Sequence, residues 1–262
     1  RSSESALRTS APSSSRTARP KTTRITWRAA SSARSRCASA AAWASGFFRS
    51  VKVRFGRSLL ARQELDGELI EEIEGALWSR ATLEACREAV PTADAARIVI
   101  GVDPPTSSGG DACGIVVCAL GADRLARMLA DCSVRKPTPE RWARAVANAA
   151  RVWRADRVVA EANQGGAMVR SVLQAADIAL PLRLVHASKG KVARAEPVAA
   201  LYESGRVRHA GQFPELEDQL CGFMAGGGYE GPGRSPDRAD ALVWAMTELM
   251  LGRRREPRVW RF

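Results

Sequence analysis

The chain has 262 residues and a formal net charge of +12, with 45% hydrophobic and 26% charged residues. That length supports one or two domains with a sizeable core, and no apolar run approaches the roughly 18 residues of a membrane span. The N-terminus lacks the apolar core of a secretory signal, and six scattered cysteines (Cys37, Cys86, Cys113, Cys118, Cys132, Cys221) form no CxxC pair. A disulfide framework and a cysteine zinc site are therefore disfavoured, and a reducing cytoplasm is expected. The charge sits in a tail: residues 1–57 hold 13 Lys+Arg and one acid, Glu4, whereas residues 58–262 hold 27 bases and 27 acids. The high pI is thus no argument for a nucleic-acid-binding body.

In chain order, residues 1–57 come first, dominated by Arg, Ser, Ala and Thr without periodicity. Such a stretch buries too little apolar surface to offset its ordering entropy and reads as a disordered basic arm. Translation of a GC-rich gene out of frame yields the same composition, and the reading frame distinguishes the two. Residues 58–96 read as a helical connector: an amphipathic acidic stretch from Ser58, then Ser79 as N-cap of a short helix through Val90, then a linker from Pro91 to Ala96.

The body spans residues 97–252, followed by a basic tail, 253–262. Ile98–Asp103 reads as a buried strand ending in an acid, followed by a turn from Pro104 to Asp111. Ala112–Leu120 and Arg124–Ser133 read as its antiparallel neighbours. Pro139–Trp153 has helical apolar spacing, and Arg157–Glu161 is another strand ending in an acid. Gly165 and Gly166 open a helix to Ala176; Leu182–His186 is a strand, Lys191–Glu203 a helix and Arg206–His209 a short strand. Phe213–Phe223 reads as helical, and Ser235–Leu251 as the last helix, with Ser235 as N-cap and Pro236 at its first position. Three strands, alternating helices and strands, and a closing helix imply an α/β layer with a mixed sheet flanked by helices.

Asp103 and Glu161 close two strands, and ligands of open α/β sheets gather at carboxyl strand ends. Asp237 and Asp240 are three apart, hence on one face of the last helix. Asp240 lies among Ala239, Ala241, Leu242 and Val243, so it needs a partner. Close carboxylates repel one another, and a divalent cation removes that conflict. Hard oxygen donors without a His/Cys cluster suit Mg²⁺ or Mn²⁺. Two such ions about 4 Å apart can activate a water and stabilise the leaving oxygen in phosphodiester cleavage. For any single acid, turn or helix capping is the plainer role, and Asp237 also suits the helix dipole. Trp142, Trp153 and Trp244 read as core, and His186 and His209 as structural.

At these residues the chain resembles the nuclease domain of phage large terminase subunits, including those of gene-transfer agents. Ile98–Asp103, Val158–Gly166 and Ser235–Leu249 resemble its three acidic motifs, Arg62–Trp78 is similar to the segment joining the packaging ATPase to the nuclease, and Ser188–Val207 also resembles the sequence of such proteins. The resemblance implies an RNase H/resolvase-like fold and an endonuclease that cuts concatemeric viral duplex DNA with two divalent metal ions. It implies Asp103, Glu161 and Asp240 as catalytic metal ligands, and Asp237 as an additional one. Gln164, Lys189, Lys191 and Arg194 are candidate DNA contacts, with a solvated face as the alternative for the basic residues. The implied partners are double-stranded DNA, a small terminase subunit and a portal protein, in the cytoplasm of a bacterial host. No membrane partner is expected.

The chain departs from a full terminase subunit in having no GxxxxGK[ST] phosphate loop, so it is not expected to hydrolyse ATP. The basic segment stands where the ATPase would end, which a frameshifted or truncated gene explains. The alternatives are a junction resolvase or transposase of the same fold, and a non-catalytic DNA-binding remnant of a prophage gene. Preference for four-way junctions marks the first, and EDTA-insensitive binding without cleavage marks the second.

Overall fold

Residues 73–88, 95–105, 112–163 and 166–252 are described by the computed structural model. The expected basic arm (1–57), the first part of the connector, most of the Pro104–Asp111 turn, Gln164, Gly165 and the tail 253–262 lie outside the described residues.

Three antiparallel strands form the centre of the sheet: β1 (Ala95–Asp103), β2 (Ala112–Gly121) and β3 (Ala126–Asp131). A two-residue strand, β4 (Val134–Arg135), pairs with the start of β2 and was not foreseen from the sequence. Parallel strands extend both sides: β5 (Arg157–Glu161) joins β1, β6 (Leu182–Val185) joins β5, and β7 (Val207–His209) joins β3. The order is β6-β5-β1-β2-β3-β7, a mixed sheet as the element order implied.

The central strands are buried on both faces, which explains their near-continuous apolar runs. Ile100, Val102, Ile115, Val117, Val158 and Ala160 face α2 (Pro139–Trp153) and α3 (Gly166–Ala176). Val99, Val116, Cys118 and Val159 face the opposite core. That core holds α1 (Arg80–Ala85), α4 (Lys191–Glu203), α5 (Pro214–Leu220) and α6 (Asp237–Met246). The period-2 alternation of each strand thus assigns its residues to one helical layer or the other.

Two local details differ from expectation. Ser79 caps α1 through Thr82 N–H, but the helix ends at Ala85. The described part of the expected connector lends Trp78, Leu83 and Cys86 to the core. Ser235 does not cap α6, which starts at Asp237 with Pro236 in the cap position. The free N–H groups of Arg238 and Ala239 instead donate to Gln219 Oε1 on α5, at 2.8 and 3.2 Å. A tertiary acceptor replaces the local cap. Beyond Met246 the helix widens into a π turn, Thr247–Leu251.

Candidate metal centre

Parallel pairing sets Val102 beside Ala160, so Asp103 and Glu161 follow side by side at the carboxyl ends of β1 and β5. Val99 and Val159 point toward the α6 layer, and the two-residue period carries Asp103 and Glu161 to that same face. There α6 crosses at backbone contact. A Cβ at Gly101 would stand 1.9 Å from Ala241 O, and one at Gly114 1.9 Å from Asp237 O. Only glycine permits this approach, and it is what lowers Asp240 onto the strand ends.

Asp240 is wholly buried. Lys191 forms an ion pair with its Oδ2, and Arg194 Nη2 lies 3.6 Å from Oδ1. Beyond these cations neither carboxylate oxygen receives a directed hydrogen bond. Burial pushes its carboxyl above the usual range, against the attraction of Lys191 and Arg194. Asp103 is raised well above that range by burial, then by the charge of Asp240, and further by Glu161 and Asp237, with Lys191 opposing. Asp240, Glu161 and Asp237 therefore all lie within electrostatic reach of Asp103. Asp237 is itself tied down, its Oδ2 accepting from Ala112 N–H at 3.1 Å.

Glu161 is the best anchored. Its Oε1 accepts from Asn163 Nδ2 at 2.7 Å, and its Oε2 from Trp244 Nε1 at 2.7 Å and Arg194 Nη1 at 3.0 Å. Trp244 and Asn163 were not identified from the sequence as site residues. The available signal for Trp244 is its position one helical turn after Asp240, on the same face. Arg194, considered for a DNA contact, bridges Glu161 and Asp240, and Lys191 pairs with Asp240 while donating to Ser235 Oγ at 2.9 Å. Lys189 is exposed; Gln164 lies outside the described residues. His209 is buried, linked to Tyr202 and Glu217, and His186 is exposed.

The donor set fits a hard divalent cation. Asp103 and Glu161 end neighbouring strands, and the buried oxygens of Asp240 have only side-chain cations for company. Among the described residues no three such side chains converge at coordinating distance. Arg194 stands between two of them. A groove of about 620 Å³ reaches Asp237 past Lys136 and Arg141. No helix among the described residues is long and apolar enough to cross a membrane.

Comparison with known proteins agrees with this architecture. The nuclease domain of the bacteriophage P22 large terminase superposes with a TM-score of 0.53 at 11% identity, covering 68% of this chain and 95% of that one. The large terminase nuclease of thermophilic phage G20c, solved with bound cobalt, gives 0.51 at 17% identity, covering 67% and 98%. The large terminase of bacteriophage HK97 gives 0.48 at 16% identity, over 66% of this chain; the match spans 43% of that protein's length. Comparison with curated proteins returned no match. The family profile described as a terminase RNase H-like domain matches residues 100–249, from within β1 to the π turn beyond α6. The chain belongs to the terminase RNase H-like domain family.

Proposed function

We propose that this domain is a divalent-metal-dependent endodeoxyribonuclease of a viral DNA-packaging terminase, cutting concatemeric duplex DNA in a bacterial host cytoplasm. The observation that carries the reading is that Asp103 and Glu161 end neighbouring strands on the face that α6 crosses at backbone contact, with Asp240 of α6 in electrostatic reach of Asp103. Membership of the terminase family and the cobalt-bound relative support it. Asp103, Glu161 and Asp240 would hold Mg²⁺ or Mn²⁺, with Asp237 at the edge of the cluster. Two bound ions would supply an activated water and charge stabilisation of the leaving 3′ oxygen.

The chain's own residues do the rest. Asn163 and Trp244 orient Glu161, and the glycine contacts fix α6 against the sheet. Lys189, Lys136 and Arg141 are exposed and suited to phosphate contacts. The nuclease unit is residues 97–252, strapped by residues 73–88. Concatemeric DNA, the small terminase subunit and the portal protein follow from the terminase resemblance.

Purified protein with Mn²⁺ is expected to nick or linearise plasmid, and Asp103→Asn and Asp240→Asn each to abolish cutting. Activity surviving in both variants overturns the reading.

A further inference from the structure

Arg194 is held in an unusual way for a side chain only 10% exposed. It makes one hydrogen bond to Glu161 and a loose 3.6 Å contact to Asp240, and its Cζ lies 4.5 Å from the centre of the Trp244 ring. Its buried Nε has no partner. Arg127 shows the alternative: it engages Glu88 and Asp123 through Nε and both terminal nitrogens. A buried donor left unmade costs free energy, so Arg194 is under-bound where Arg127 is saturated. On the other side of the contact, both Asp240 oxygens are buried: Lys191 pairs with Oδ2, and Oδ1 has only the loose Arg194 contact.

We propose that Arg194 is an internal counter-cation, displaced from between Glu161 and Asp240 when a divalent ion binds, with Trp244 as the positioning residue that holds Glu161 through the exchange. This rests on the metal-dependent reading of the site given above. A guanidinium cannot shed its charge by losing a proton, so it makes room for another cation only by moving. The Trp244 N–H keeps Glu161 Oε2 in place when the Arg194 bond to the same oxygen breaks. The released guanidinium is then free to take a phosphate oxygen of the substrate.

The test uses the full chain and metal alone. In calorimetric titration with Mn²⁺, Arg194→Met, which keeps the stem and loses the charge, is expected to bind about tenfold tighter than the unaltered protein. Trp244→Phe, which keeps a ring but loses the N–H, is expected to bind about tenfold more weakly. Tryptophan emission of the unaltered protein, followed with diamagnetic Mg²⁺, should change over the range in which metal binds, and Trp244→Phe should lose that change. Folded Arg194→Met that binds Mn²⁺ no tighter overturns the exchange. Should that variant not fold, emission that stays flat through Mg²⁺ saturation overturns it instead. Absence of any Mn²⁺ binding by the unaltered protein sinks the metal-site reading itself, a result distinct from binding without exchange.

Discussion

Two buried carboxylate sites sit in the same helical layer and behave in opposite ways. Glu217 on α5 is 1% exposed and has four donors: Arg87 Nη1 and Nη2 at 2.9 Å each, Phe213 N–H at 3.1 Å and His209 Nδ1 at 3.2 Å. Tyr202 O–H lies 2.9 Å from His209 Nε2, so the tautomer with hydrogen on Nδ1 satisfies every member. Burial pushes the Glu217 carboxyl up, but the bonds from His209 and Arg87 prevail and bring it down to about 2. Asp240 is at least as buried, and there burial prevails. The number and aim of donors, not burial, separate a carboxylate that locks the fold from one held by a lysine ion pair and a loose arginine contact.

The largest break in this contrast comes from the scaffold of the acid cluster. At Gly101 and Gly114 an added Cβ would strike helix backbone, which cannot swing aside as a side chain can. Gly101→Ala and Gly114→Ala are each expected to cost about 3 kcal/mol or more and to lift α6 off the strand ends. Urea denaturation reads the stability, and Mn²⁺ calorimetry reads the separation of the acids. Gly190→Ala serves as control, because an added Cβ there meets nothing within 4 Å. A loss at Gly114 no larger than in that control contradicts the close approach.

The satisfied site gives the next effect. Its folded pKa of about 2 lies below the ordinary glutamate value near 4.3, so ionised Glu217 favours the folded state. That stability is fully present above the ordinary value and is lost as pH falls toward about 2. The depression corresponds to roughly 3 kcal/mol. Glu217→Gln is expected to lose about that much at pH 7, with the gap to the unaltered protein closing in acid. Urea midpoints at neutral pH and near pH 3 check it. A gap that stays constant across that window shows that lost packing, not charge, is responsible. Metal should leave the gap untouched, since Glu217 joins α5 to the strap through Arg87.

Much of the fold was legible because its signals are local. Pro139–Trp153, Arg157–Glu161 and Lys191–Glu203 have the bounds that their apolar period and flanking turns indicate. The positions of the acids were also readable, since strand ends are local features. What escaped depends on residues far apart in sequence. Gln219 caps a helix some twenty positions away, β4 exists only by pairing with β2, and Arg87 meets Glu217 from 130 positions away. Gly101 offered a partial clue, because glycine inside an apolar strand marks close approach of another backbone. Arg194 was seen as a basic surface residue, since nothing in its neighbourhood announces that Glu161, Asp240 and Trp244 converge on it.

The smallest expected effect has the opposite sign, and it bears most directly on the contrast. Asp103 is raised well above the carboxylate range by burial and by the neighbouring acids. Holding this acid in the folded state at neutral pH therefore costs stability, whether it stays ionised or takes up a proton, whereas ionised Glu217 adds stability. Asp103→Asn keeps the shape and removes the charge, so in EDTA it is expected to stabilise the protein by about 1 kcal/mol, the trade that strained functional sites make. In saturating Mn²⁺ the order should invert, because only the unaltered site gains the binding free energy, about 2.7 kcal/mol at a hundredfold excess over Kd. Thermal melts of both proteins with EDTA and with Mn²⁺ give all four values. If Asp103→Asn melts lower in EDTA, Asp103 is a structural carboxylate like Glu217, and the distinction between the two sites is lost.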